Sequence, residues 1–158
     1  MLQEPVLQAL QLQMAHEFEN FQLYKHFSGI CDFQSLLGAT KWFDIQSQEE
    51  YGHFNKFYNY ISDKGHIPEM PELKKLEPAI ITLDLLFTQT VALEAKTTDN
   101  LRLVSEVCKA ANDDQTFGLI QWFLNEQISE EKEVQDILKR VLLSSNNLLI
   151  IDQELGER

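Results

Sequence analysis

Glu17, the Glu50/His53 pair, Glu94 and the Gln127/Glu130 pair each stand at the middle of a long stretch whose apolar residues recur at three- and four-residue spacing. An acid on a stripe that should face a core is out of place, because a buried carboxylate without a counter-charge is strongly destabilising. Four such carboxylates at one level would repel each other, and two divalent cations would cancel their charge. The three-residue step from Glu50 to His53 sets a carboxylate and an imidazole on one helical face, where Glu50 can bridge two ions and His53 can bind one of them. Carboxylate oxygens with a single imidazole nitrogen suit iron or manganese better than structural zinc, which favours thiolates or several histidines. The chemistry expected is that of a paired-metal centre.

A lone glutamate in mid-helix is more often solvated than a ligand. Coincidence on four stripes is what carries the assignment. Gln127 is neutral, and is either a ligand or a hydrogen-bonding neighbour of one. Tyr24 lies two turns beyond Glu17 on the same stripe; it could bond a metal-bridging carboxylate, donate an electron, or be an ordinary buried tyrosine. Glu49 and Glu126 flank the inward positions and, with Glu130, form either a more exposed cation site or a solvated cluster. Trp122 flanks the fourth stripe and is assigned to the core. His16, His26 and His66 read as surface or satisfied core residues.

Gly and Pro are sparse, which leaves four helical windows, at about residues 5–33, 38–65, 80–111 and 115–143. The first stripe reads Leu10, Met14, Glu17, Phe21, Tyr24; the second Phe43, Gln46, Glu50, His53, Phe57; the third Phe87, Thr90, Glu94, Thr97, Leu101; the fourth Ile120, Phe123, Gln127, Glu130, Val134. The midpoints of the windows bring the acids to one level of an aligned bundle. Between the second and third windows, Pro68, Pro71 and Pro78 forbid a continuous helix. About 14 extended residues reach roughly 45–50 Å, whereas a 28-residue helix is roughly 42 Å long. That connection can cross the whole bundle, while the short links at 34–37 and 112–114 close antiparallel hairpins. The fold predicted is all-α, a ferritin-like four-helix bundle with one long crossover. Residues 1–158 form a single domain in this reading, with the bundle at about 5–143. Ser144 to Asn147 reads as a break, followed by a short C-terminal fifth helix at about 147–155.

The 158 residues, 44% of them hydrophobic, suffice for one sizeable core. A formal charge of −12 and a pI near 4.6 argue against nucleic acid and anionic membranes as partners, and favour cations. Cys31 and Cys108 stand far apart, outside any Cys-x-x-Cys pattern, and read as small buried hydrophobes in a reducing compartment. No secretory leader or long apolar run is legible, so a soluble cytoplasmic protein is expected.

In order along the chain, Glu17 with Tyr24, Glu49-Glu50-Tyr51-Gly52-His53, Glu94, the run Trp122 to Glu131, and the tail Leu148 to Leu155 resemble the bacterial non-haem ferritins over essentially the whole sequence. The resemblance implies a ferroxidase centre, with one iron on Glu17, Glu50 and His53, its neighbour on Glu50, Glu94 and Glu130, and Gln127 close by. A third iron would map to Glu49, Glu126 and Glu130. Ser129 stands where the family expects a further carboxylate, so the resemblance implies an ion there that binds more weakly or moves on faster. Gly52 before His53, and Gln127-x-x-Glu130 in place of a second Glu-x-x-His, separate the chain from the haem-binding branch, so no haem is expected. The resemblance further implies oxidation of Fe(II) by dioxygen or hydrogen peroxide and storage as ferric oxyhydroxide inside a 24-subunit shell. Asp113-Asp114 would then lie near a three-fold channel.

Two other classes compete. One is a non-storage di-iron or di-manganese redox enzyme of small oligomeric state. The other is a structural bundle whose central carboxylates are solvated.

Overall fold

In a computed structural model the described residues form five helices: α1 (Glu4–Phe33), α2 (Leu37–Asp63), α3 (Leu83–Ala110), α4 (Asp114–Leu143) and α5 (Leu148–Leu155). The structure describes residues 1–144 and 147–158. Of the break expected at Ser144 to Asn147, Ser145 and Asn146 lie outside the described residues. Among the described helices none is long and apolar enough to cross a membrane.

Pro5 occupies the first turn of α1, where its missing N–H costs nothing. The C-terminal ends of α1, α2 and α3 share one stop signal. Ser35 (φ 60°), Gly65 (φ 80°) and Asn112 (φ 53°) take the left-handed conformation. The amides of Leu36, His66 and Asp113, each one residue further on, return to the carbonyls of Cys31, Ile61 and Cys108. The turns after α1 and α3 are therefore tight, and they produce the α1/α2 and α3/α4 hairpins.

The crossover, residues 64–82, runs the length of α1. His66 Nε2 accepts from the Leu2 amide, the Glu69 amide donates to Gln11, the Lys74 amide donates to Gln22, and Gln34 donates to the Ile81 carbonyl. Chain order along the crossover thus follows chain order along α1. It delivers the start of α3 to the end of the bundle where α2 begins, so α3 runs parallel to α2. The helix expected from about residue 80 starts at Leu83, because residues 79–82 extend the crossover.

Glycine has a steric role at Gly38. A Cβ there would sit 1.6 Å from the Asp152 carbonyl oxygen, so only glycine lets α5 cross the first turn of α2 at this distance. The Asp152 carboxylate then accepts from the Gly38 amide (3.1 Å) and the Ala39 amide (2.8 Å), two of the donors that a helix start leaves unpaired. Arg140 of α4 pairs with Glu154 on the other side of α5.

The apolar core is in two parts. One holds Phe27, Trp42, Phe43, Phe87, Ile137 and Val141; the other holds Val6, Leu10, Phe57, Leu101, Ile120 and Phe123. The break between them falls at the polar layer. Phe57 and Phe123 stack at 4.3 Å just below it, and Phe43 and Phe87 pack at 5.0 Å above it. Two stripe assignments change. Phe21 is only half-buried, packed against Phe18 and Tyr51 on the outer side of the α1/α2 pair. Trp122 is not core: it is 39% exposed, with Lys56 Nζ 3.1 Å from its ring centroid. Its ring meets His53 edge to face at 6.3 Å between centroids. Both cysteines are free and buried, as their spacing suggested, and burial pushes their thiols up to about 12 for Cys31 and about 11 for Cys108.

Candidate metal centre

Three of the four central acids are sealed from solvent, with Glu17 0%, Glu50 2% and Glu94 1% exposed. This removes the reading in which they are solvated charges on a structural bundle. The Nδ1 atom of His53 lies 3.6 Å from Glu17 Oε2 and 3.6 Å from Glu50 Oε2. Both of those carboxylate oxygens are buried with no hydrogen-bond partner among the described residues. Buried oxygens without a partner are uncommon in folded proteins, and a cation among Glu17, Glu50 and His53 would satisfy both. Among the described residues, Glu17, Glu50 and His53 are the group whose ligand atoms lie within 4.8 Å of one another, close enough to hold one ion. An oxygen-rich set with one imidazole fits a divalent first-row metal.

Each acid is held by a neighbour on its own or a facing helix. Gln13 Nε2 donates to Glu17 Oε1 at 2.6 Å. Gln46 Nε2 lies 3.4 Å from Glu50 Oε1 and 3.3 Å from Glu130 Oε2, so one amide links α2 to α4. The Tyr24 hydroxyl donates to Glu94 Oε1, and Gln127 Nε2 donates to Glu94 Oε2 at 3.1 Å and to the Glu94 carbonyl at 3.2 Å. In this geometry Gln127 is a hydrogen-bonding neighbour of Glu94, and Tyr24 bonds a carboxylate of the cluster.

The protons follow the burial. Desolvation works against charge on His53, but the adjacent Glu17 and Glu50 carboxylates outweigh it and hold the imidazole up to about 11. Desolvation also pushes Glu17 up, yet His53, Glu50 and Gln13 bring it below the usual carboxylate range. Glu50 is raised well above that range by burial, with Glu17 and Glu94 adding repulsion. Glu94 is raised to about 7, first by burial. In the metal-free centre burial and mutual repulsion favour the proton on Glu50 and Glu94, and the neighbouring carboxylates favour it on His53. A divalent ion would displace these protons.

The remaining expected residues are less closely gathered. Glu130 is half-buried and raised by burial and by the nearby Glu49. Glu49 itself bonds Arg158 at 2.7 Å. Glu126 is exposed, and the Ser129 hydroxyl donates back to its carbonyl. Asp113 uses both carboxylate oxygens to cap α4, accepting from the Thr116 amide (3.0 Å) and the Thr116 hydroxyl (2.6 Å). His16 is a satisfied core residue, 2.8 Å from the Thr97 hydroxyl.

Gln13, Gln46 and Arg158 were not foreseen as part of the site. Each glutamine precedes its glutamate by four residues, Gln13 before Glu17 and Gln46 before Glu50, and that repeated step was a usable signal. Arg158 gave no local signal, since only the path of α5 brings it here.

One full-length crossover, and carboxylates and a histidine converging at mid-height from facing helices, place the chain among four-helix bundles of ferritin-like topology with an acidic centre. Residues 7–143 match the ferritin-like domain family. The chain belongs to the ferritin family. It is 31% identical to the bacterial non-heme ferritin of Staphylococcus aureus (strain USA300), spanning 100% of this chain and 97% of that one. It is 28% identical to the bacterial non-heme ferritin of Escherichia coli O6:H1 (strain CFT073), over 99% and 96% of the two chains. Among solved structures, the open pore ferritin of the hyperthermophilic archaeon Archaeoglobus fulgidus superposes with a TM-score of 0.95 at 25% identity, covering 100% of this chain and 99% of the other. A humanized archaeal ferritin gives a TM-score of 0.95 at 26% identity, with 100% and 99% coverage.

Proposed function

We propose that this chain is an iron-storage protein that oxidises Fe(II) at a paired site inside each subunit and keeps the ferric product as oxyhydroxide in a 24-subunit cytoplasmic shell. The observation that carries this reading is the pair of orphaned oxygens on Glu17 and Glu50 facing His53. Family membership supplies iron as the substrate metal.

In this mechanism Glu17, Glu50 and His53 hold one ferrous ion, and Glu50, Glu94 and Glu130 hold its neighbour. Carboxylates stabilise the ferric state, which favours oxidation. Two ferrous ions give up two electrons, and dioxygen with two protons becomes hydrogen peroxide, or hydrogen peroxide with two protons becomes two waters. His53, Glu50 and Glu94 release protons as iron arrives, so binding frees acid before any electron moves. Gln13 and Gln127 orient Glu17 and Glu94, while Tyr24 holds the second oxygen of Glu94 beside the reacting ions. The cost of desolvating these charges is set aside in the folded bundle and recovered only when cations bind.

Aerobic addition of Fe(II) to wild type and to Glu50→Ala/His53→Ala, followed by absorbance and particle size, tests this. Wild type should oxidise iron well above the autoxidation rate and retain it in a large shell, and the variant should not. Equal corrected initial rates would defeat the assigned centre. A dimer that oxidises iron and retains none would shift the reading to a non-storage di-iron enzyme.

A further inference from the structure

Arg158 lies beyond α5, far in sequence from every acid of the metal centre. Its guanidinium nevertheless rests against that centre. Nη2 donates to Glu49 Oε2 at 2.7 Å, Nη1 donates to Gln46 Oε1 at 3.0 Å, and the group sits 4.6 Å from the Trp42 ring centroid. Nε is 4.0 Å from Glu133 Oε1, and the side chain is 19% exposed.

The chemistry of these contacts is directional. A guanidinium has donors and no acceptor, so the Gln46 oxygen must face Arg158 and the Gln46 nitrogen must face away from it. The nitrogen then points at Glu50 Oε1 and Glu130 Oε2. One amide is thereby fixed with its donors on two acids of the centre. At the same time a fixed positive charge satisfies Glu49.

We propose that Arg158 is a positioning residue of the metal centre: its guanidinium takes the place of a further cation on Glu49 and locks the Gln46 amide toward Glu50 and Glu130. This rests on the metal-centre reading above. The number of ions held by each subunit is then set partly by the tail that follows α5, and the centre is limited to its pair. Position 129 contributes to the same end, because Ser129 adds no charge beside Glu130.

Anaerobic titration of the assembled, iron-free protein with Co(II), read by calorimetry and visible absorption, tests the proposal. Arg158→Gln should take up one more ion per subunit than wild type, with a new absorption component, and Arg158→Gln/Glu49→Gln should lose that ion. Arg158→Lys should return to the wild-type count. Arg158→Met keeps the apolar stem against Trp42 and should behave as Arg158→Gln, so a packing defect in one variant cannot imitate the effect. Wild-type stoichiometry and spectrum in both Arg158→Gln and Arg158→Met would overturn the proposal. The metal-centre reading fails separately, if wild type and Glu50→Ala/His53→Ala give the same isotherm.

Discussion

The Tyr24 hydroxyl donates to Glu94 Oε1 at 2.5 Å, across 70 residues of sequence, while Gln127 holds the other oxygen of the same carboxylate from α4. Glu94 is therefore fixed from α1 and α4 together, although it belongs to α3. Burial, and then the surrounding carboxylates, raise Tyr24 well above the ordinary tyrosine range, so it remains a hydrogen-bond donor at any working pH.

Tyr24→Phe should leave the fold intact and free one oxygen of Glu94. Loss of a partner outside the ligand set commonly costs about 10–100-fold in metal affinity or activity. Stopped-flow ferrous oxidation is expected to slow by about tenfold at low iron. A rate equal to wild type would show that Tyr24 is packing alone.

The metal-free protein should lose stability as pH rises from about 5 to 8. Glu94 has a folded value of about 7 against an ordinary 4.5, so between those values the folded chain binds more protons than the unfolded chain. His53, at about 11 against 6.5, adds the same sign, with stability complete below 6.5 and lost as pH rises toward 11. Stability falls with pH wherever the folded state binds more protons. For Glu94 alone the shift corresponds to about 3 kcal/mol. Glu17 is depressed and acts only below the ordinary carboxylate range, outside this window, and His16, lowered by burial, works the other way only below 6.5. Thermal melting of metal-free protein should give a higher Tm at pH 5.5 than at pH 8, and Glu94→Gln should flatten the trend. The Tm gained on adding Co(II) should grow over the same interval, because the ion replaces the protons. A metal-free Tm that rises with pH would contradict these assignments.

Gly38→Ala should detach α5. The Asp152 carbonyl oxygen leaves no room for a Cβ, so α5 must shift, at a cost of about 1–3 kcal/mol. Asp152→Ala removes the acceptor for two α2 amides and should cost about 1 kcal/mol. Hydrogen exchange in residues 148–155 should rise in both variants. Unchanged exchange would mean that α5 is held mainly by its apolar residues Ile151 and Leu155.

Asp113→Ala should destabilise the protein by about 0.5–2 kcal/mol through loss of the α4 cap. Asp114→Asn should be nearly neutral. Urea denaturation separates them. Equal midpoints for the two would argue against the cap.

The helices and the crossover were legible because few glycines and prolines interrupt the apolar spacing, and because chain length fixes how far residues 64–82 can reach. The acids were legible for a related reason, since a carboxylate on an apolar stripe has few explanations. Phe21 and Trp122 were misplaced because spacing assigns a face but not how far a flanking ring is covered. Phe21 turns out toward Phe18 and Tyr51, and Trp122 carries Lys56 over its ring. Spacing also left Gln127 open between ligand and neighbour, and its contact with Glu94 is made across helices, where spacing along one helix says nothing. Arg158 was beyond reach for the same reason in stronger form, because its partners depend on the close approach of α5 to Gly38.

The central claim is that the orphaned oxygens of Glu17 and Glu50, with His53, are half of a paired iron site. Anomalous diffraction at the iron edge, from crystals loaded anaerobically with Fe(II), tests it most directly. The account predicts two peaks per subunit, one among Glu17, Glu50 and His53 and a second bounded by Glu50, Glu94 and Glu130. Iron found only at surface carboxylates, with neither peak inside the bundle, would contradict it.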